Sequence, residues 1–187
     1  MEPTADMWRI LRTLQDRQEI IDCLHRYCRG IDRGDRALVL SAYHPDAIDD
    51  HGVFVGVAAD FIDWALAYHG EHQVGHQHAV LNHSCELHGD TAHTETYFLY
   101  QGTNSVGPGT LSGGRYIDRF ERRQGRWGIA ARVCVTEWVA ELGKDPLPLE
   151  FRAALMSNCT GSRDPTDISY MRPLRVTRPL TASTAQT

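Results

Sequence analysis

The sequence predicts an α+β domain in which helices come first and an antiparallel sheet follows. Two observations carry this. Apolar residues recur at three- and four-residue spacing through the first third of the chain, and from Gln73 onward the period changes to two. The switch is accompanied by short, glycine-containing separators between the later apolar runs.

The first helix is marked by Ile10, Leu11, Leu14, Ile20, Ile21, Leu24, Tyr27, Cys28 and Ile31, with charged residues filling its other face. A break within 13–16, with Asp16 capping a second helix, fits the same spacing. Gly30 and Gly34 loosen the end, and Asp35 caps a short helix through Leu38, Val39 and Ala42. His44-Pro45-Asp46 stops that helix, because proline excludes the α conformation from the residue before it. Residues 47–55 read as a short strand pair turning at Asp49-Asp50-His51-Gly52. Helical spacing returns over 57–69, with Phe61, Trp64, Ala65 and Tyr68 on one face.

Long strands are then expected over 76–87, 91–101, 110–122 and 127–138. His88-Gly89-Asp90 and Arg123-Gln124-Gly125-Arg126 suit hairpin turns, and 102–109 is a longer glycine-rich connection. Helices followed by such a meander describe a layer of helices on one sheet face. After Glu141, Pro146 and Pro148 precede a short helix over 149–157. Residues 161–187 hold Pro165, Pro173 and Pro179 among arginines, an extended tail expected to end in disorder. The expected division is a core domain over 1–142 and a C-terminal segment over 143–187.

A chain of 187 residues with 42% hydrophobic and 23% charged residues can bury a core without staples. Its net charge of -5 argues against a nucleic-acid surface, which needs a basic stripe. No apolar run approaches the ~18 residues that would span a bilayer, so no membrane association is expected. The first ten residues carry Glu2, Asp6 and Arg9 and lack the apolar core of a secretory signal. Cys23, Cys28, Cys85, Cys134 and Cys159 show no CxxC spacing, which points to buried thiols and a reducing cytoplasm.

Histidines are the candidates for chemistry. The chain has 10, most of them between His69 and His93. His76 and His78 are two apart on a strand and share one face, which Val80, Asn82 and Ser84 would continue. Asp32, where the first helix ends, could hold one imidazole nitrogen and turn the other toward a substrate. Asp35 is the rival carboxylate but suits a cap. Arg132 interrupts an apolar strand, so it either snorkels outward or stabilises negative charge inside. The plainer readings are a satisfied core histidine, a helix cap and a solvent-facing arginine. A metal site drawn from His69, His72, His76, His78 and Glu86 is a competing arrangement, although Asn82 and His83 stand where a cupin motif would place its glutamate. There is no GxSxG elbow and no GxGxxG or Walker sequence, and Cys85 and Cys134 have no evident paired base.

The stretch from Ile20 to Asp35, with Tyr27 and Asp32, resembles the opening of SnoaL-like, scytalone dehydratase-like proteins of the nuclear transport factor two-like superfamily. His78-Ala79-Val80-Leu81-Asn82, Gly89-Asp90-Thr91-Ala92 with Glu95-Thr96-Tyr97, and Gly125 to Arg132 followed by Glu137-Trp138 continue the resemblance in order over residues 10–140. It implies a cone-shaped barrel, a strongly bent mixed sheet packed against N-terminal helices around one pocket. It further implies Asp32 and His78 as an acid–base dyad, Tyr27 polarising the substrate and Arg132 stabilising charge, with His76, His93, Glu95, Asn82 and Trp64 as further pocket residues. Phe54, Tyr68, Phe98, Tyr116 and Trp138 are candidate apolar walls. The implied activity is that of a lyase needing no metal or organic cofactor. Its substrate would be a small hydroxylated aromatic or alicyclic molecule, as in aromatic compound catabolism, attacked by dehydratase-type elimination or retro-aldol or deformylation-type cleavage. A double-bond isomerase or cyclase, and a non-catalytic binding or association module, are the alternatives. A cytoplasmic homo-oligomer, trimer before dimer, completes the expectation.

Overall fold

The computed structural model describes residues 4–143, 147–157, 161–176 and 178. The elements are α1 (Ala5–Arg33), α2 (Arg36–Leu40), β1 (Tyr43–Asp50), β2 (Val55–Val57), α3 (Ala58–His72), β3 (Gln73–His88), β4 (Thr91–Asn104), β5 (Gly109–Arg123), β6 (Arg126–Leu142) and α4 (Leu149–Leu155), with a 3-10 turn at Ile168–Tyr170. The strands form one open sheet in the order β2-β1-β6-β5-β4-β3. β3 to β6 make the expected antiparallel meander, and the parallel pairing of β1 with β6 makes the sheet mixed. The cone is therefore an open wall closed by helices, and the sheet does not join its own edges into a barrel.

Helix α1 runs unbroken. Thr4 caps its start by accepting from the Met7 backbone N–H at 3.3 Å. Gly34 ends it at a φ of 66°, a left-handed conformation that glycine adopts without strain. Asp16 is no cap. It is buried and accepts from the Trp127 indole at 2.9 Å and the Arg122 guanidinium at 2.8 Å, so it ties α1 to β5 and β6. The apolar stripe is buried only beyond that point. Ile20, Cys23, Leu24, Tyr27 and Ile31 enter the core, whereas Met7, Trp8, Ile10, Leu11 and Leu14 stay exposed. Each fully buried large aliphatic side chain stabilises the fold by roughly 1.5–3 kcal/mol.

The stop after the short helix comes earlier than the sequence suggested. α2 ends at Leu40, and His44 and Pro45 already lie in β1. Pro45 is tolerated there because the β1–β6 register is irregular between Tyr43 and Ile48. No described helix is long and apolar enough to cross a membrane. The disorder expected over about the last eight residues, like Cys159, lies outside the described residues.

The sheet's interior is organised by one buried charge. Arg132 on β6 stands opposite Asp118 on β5, and its guanidinium makes two hydrogen bonds to that carboxylate, at 2.7 and 2.8 Å. Both side chains are 0% exposed. The guanidinium also lies 4.3 Å from the Tyr27 ring and 4.1 Å from the Tyr116 ring, and donates to the Tyr43 hydroxyl at 3.3 Å. Burial alone would lower the arginine's pKa, but the Asp118 carboxylate and the nearby phenols outweigh it, so the cation is retained. Asp118→Asn is expected to destabilise the protein by about 3–5 kcal/mol, because it strands a buried cation. In urea denaturation, Asp118→Leu combined with Arg132→Met should lose less than the sum of the two single substitutions.

Candidate active site

Asp32 reaches the site from the last turn of α1, and His78 from the inward face of β3. The two meet in a double clamp. His78 Nδ1 donates to Asp32 Oδ1 at 2.7 Å, and the His78 backbone N–H donates to Asp32 Oδ2 at 3.0 Å. Both carboxylate oxygens are thus committed, the ring is held in one tautomer, and its Nε2 is left without a protein partner among the described residues. His78 lines a cavity of about 590 Å³.

The wall of this cavity is largely aromatic. Tyr27, Phe61, Trp64, Tyr68, Phe98, Tyr100 and Tyr116 line it, and Ser112, Thr110, Thr136 and Asn104 add polar points. Among the described residues, the lining includes no Lys, Arg, Asp or Glu. Tyr100 has its ring 4.9 Å from His78, and its oxygen accepts from the Gln73 side-chain amide, which leaves the phenolic proton for the cavity. Burial, partly opposed by that amide, raises its pKa to about 12, so it remains a donor. Burial likewise holds Tyr27 well above the ordinary phenol range, against the opposing charge of Arg132. Cys134, also in the wall, is pushed up to about 12 by burial and offers no thiolate.

The expected site residues divide. Asp32, His78, Tyr27 and Trp64 come together at the cavity. Arg132 points inward, but it lies behind Tyr27 and Tyr116 with its charge answered by Asp118, so it is not aimed at a substrate. His76 sits behind the wall, donating Nε2–H to the Ile31 carbonyl at 3.1 Å and stacking on His69 at 4.1 Å. His93 and Glu95 occupy the outward positions of β4, and Glu95 pairs with Arg115 there. Asn82 is turned outward by a register shift between Val80 and His83. The extra residue reverses the alternation, so that His83, Cys85 and Leu87 take the inner face instead. Of the remaining wall candidates, Tyr68, Phe98 and Tyr116 line the cavity. Phe54 packs against Phe61 and Trp64 from outside it, and Trp138 is exposed at 43%.

Asp49, His51, Tyr100 and Gln73 went unrecognised in the sequence. His51 lines the cavity and hydrogen-bonds Asp49, whose other oxygen accepts from the Tyr43 hydroxyl at 2.6 Å. The signal was available, because Ala47, Asp49 and His51 share one face at a period of two, but the Asp-Asp-His-Gly run reads more readily as a turn.

Asp32, His76 and His78 also place three potential metal-ligand atoms within 4.8 Å of one another. The donor set fits a hydrogen-bonded dyad better than an ion. His78 Nδ1 carries the proton it gives to Asp32, and His76 Nε2 carries the one it gives to Ile31, so neither presents a lone pair to the cluster.

A family profile described as SnoaL-like domain matches residues 12–133. No curated protein matches the chain. Among solved structures, a candidate scytalone dehydratase from Novosphingobium aromaticivorans DSM 12444 superposes with a TM-score of 0.64 at 16% identity, over 71% of this chain and 91% of that one. Hexachlorocyclohexane dehydrochlorinase LinA-type3 from Novosphingobium barchaimii LL02 gives 0.67 at 20% identity, over 74% and 98%. A candidate aromatic ring hydroxylase, also from a Novosphingobium aromaticivorans strain, gives 0.63 at 22% identity, over 69% and 94%. At these identities the likeness is one of fold.

The stacked pair of His69, in the cavity wall, and His76 behind it sets an acid limit. Burial lowers His69 to about 4 and His76 to about 3, from an ordinary 6.5. The unfolded chain therefore takes up protons below pH 6.5 that the folded chain refuses. Stability held above that pH is lost as pH falls toward about 3. Thermal unfolding followed by circular dichroism should show the melting temperature falling across this window, and His69→Gln/His76→Gln should flatten the fall.

Proposed function

The chain belongs to the SnoaL-like domain family, with the scytalone dehydratase-like proteins of the nuclear transport factor two-like superfamily, and we infer that it acts as a cofactor-independent lyase on a small hydroxylated aromatic or alicyclic molecule. The observation that carries this reading is the clamped Asp32–His78 dyad, whose imidazole lines an aromatic-walled cavity. Relatives of this fold include a named dehydrochlorinase and a candidate dehydratase, which remove HCl or water from ring compounds by their names.

In this mechanism His78 Nε2 removes a proton from a carbon made acidic by a neighbouring carbonyl or leaving group. The Asp32 carboxylate stabilises the imidazolium that forms and prevents the ring from turning away. The Tyr100 phenol donates to the oxygen on which charge develops. The absence of Lys, Arg, Asp and Glu from the described lining favours a neutral substrate, and about 590 Å³ accommodates a one- or two-ring molecule. Elimination begins with this proton transfer; retro-aldol cleavage would begin with the same nitrogen taking the proton of a hydroxyl β to the carbonyl, whose oxygen pair then forms the new carbonyl as the carbon–carbon bond breaks. The outer sheet face exposes Tyr97, Leu99, Ile117 and Val133, apolar area that supports a homo-oligomer, trimer or dimer.

A mass-spectrometric screen of neutral hydroxylated ring ketones, with and without chelator, tests the reading. Loss of water or a small carbonyl fragment is expected, unaffected by chelator. His78→Ala should lower the rate by about 10²–10⁴-fold, and Asp32→Asn by a comparable amount with little change in KM. A product of unchanged mass would identify an isomerase or cyclase instead. Turnover that dies with chelator would reject the metal-free dyad.

A further inference from the structure

His51 lines the same cavity as His78 and repeats its arrangement from another part of the chain. It follows directly on β1, and its Nδ1 is bonded to the Asp49 carboxylate, which is 0% exposed. The remaining oxygen of Asp49 is held by the Tyr43 hydroxyl, and Tyr43 is in turn held by Arg132. The imidazole is stacked on Phe61 of α3 at 4.1 Å and lies 6.2 Å from the Tyr116 ring of β5, contacts that help to orient it. Its Nε2 lies 3.3 Å from the Tyr27 hydroxyl. Tyr27 itself lines the cavity, with its ring 6.4 Å from that of His78. A buried carboxylate, an oriented imidazole and a cavity-facing phenol thus form a chain that ends between the two histidines.

We propose that Asp49, His51 and Tyr27 form a second proton relay, in which Tyr27 is the general acid for the departing hydroxyl and His51 reloads it. The proposal rests on the lyase reading and assigns the half of the reaction that His78 does not perform. The relay suits the neutral hydroxylated ring ketones of that reading, because a hydroxyl leaving group departs only with a proton.

The bond between hydrogen and the carbon next to the carbonyl breaks, and the proton goes to His78 Nε2. The electron pair left behind forms the new carbon–carbon double bond. The carbon–oxygen bond breaks, and the hydroxyl leaves as water with the Tyr27 proton. Tyr27 takes the Nε2 proton of His51, which begins the cycle as an imidazolium and ends it neutral. His78 then gives one proton to solvent and His51 takes one back, which restores the starting state.

The closing experiment has a spectroscopic arm and a kinetic arm on the full chain. In nitrogen-15 spectra of the histidine rings, Tyr27→Phe is expected to shift His51 Nε2 and leave His78 Nε2 in place. Asp49→Asn is expected to shift His51 Nδ1. Unmoved His51 resonances would overturn the relay. The kinetic probes are 3-hydroxy-1-tetralone, which yields 1-naphthol and water, and 3-chloro-1-tetralone, which yields 1-naphthol and chloride without needing an acid. His51→Gln and Tyr27→Phe should slow the hydroxy probe by about 10²–10⁴-fold and leave the chloro probe within about threefold. His78→Ala should stop both. Equal losses on both probes in His51→Gln would overturn the relay while retaining the dyad. If the wild-type chain turns over neither probe, the lyase reading loses its support for this substrate class. The relay is then decided by the spectra alone. Thermal melting of each variant separates these outcomes from failure to fold.

Discussion

A cation with no access to water has to be answered inside the protein, and in this chain the answer organises the site. Arg132 is satisfied by Asp118 on the neighbouring strand, by the faces of Tyr27 and Tyr116, and by the Tyr43 hydroxyl. These groups come from α1, β1, β5 and β6, so one guanidinium fixes the mutual positions of four elements. Its cost of burial is offset only while all of them stay in place, which makes the arrangement cooperative. The same groups are the rear support of the cavity. Tyr27 presents its edge and hydroxyl to the interior because its face is occupied by the cation, and Tyr43 passes the constraint on to Asp49. The charge therefore acts on the chemistry through position, from behind a wall of phenols.

The dyad depends on a second kind of precision, that of the backbone. Asp32 is bound both by the side chain and by the peptide N–H of His78, so a shift of β3 along α1 would break two hydrogen bonds at once. The register of β3 is in turn set by its long pairing with β4, which runs from Gln73 to His88 with irregularities at Gln73–Gly75 and Val80–His83. The second irregularity lets one strand serve two purposes. Before it, His76 and His78 face inward toward α1; after it, His83, Cys85 and Leu87 continue the inner face.

The C-terminal segment adds a brace at the same end of the cone. Arg163 donates to the carbonyls of His69 and Gln73, both at 2.6 Å, where α3 gives way to β3. Arg33 pairs with Asp167 at 3.2 Å, and the Tyr170 hydroxyl donates to Asp35 at 3.0 Å. The carbonyls that end α3 and the acid that caps α2 are thus satisfied by residues remote in sequence. The segment closes the junction from which His69, Gln73 and His78 reach the cavity.

The sequence by itself determined the order and kind of the elements. Period and punctuation are local properties, so the change from helical spacing to alternation at Gln73, and the glycine turns at Gly89 and Gly125, could be read directly. Asp32, Tyr27 and His78 were legible too, because a resemblance spread over most of the chain placed them. What only the tertiary structure decided was which polar groups answer one another. Arg132 looked available for a substrate until Asp118 was found opposite it. Asn82 changed faces through a one-residue shift that leaves no mark in composition. Asp49 and His51 looked like a turn until Tyr27, 24 residues away in sequence, was seen against His51. The physical reason is the same in each case. A local pattern sets which way a side chain leaves the backbone, but the free energy of a buried charge or proton donor depends on partners that only the folded chain brings within hydrogen-bonding distance.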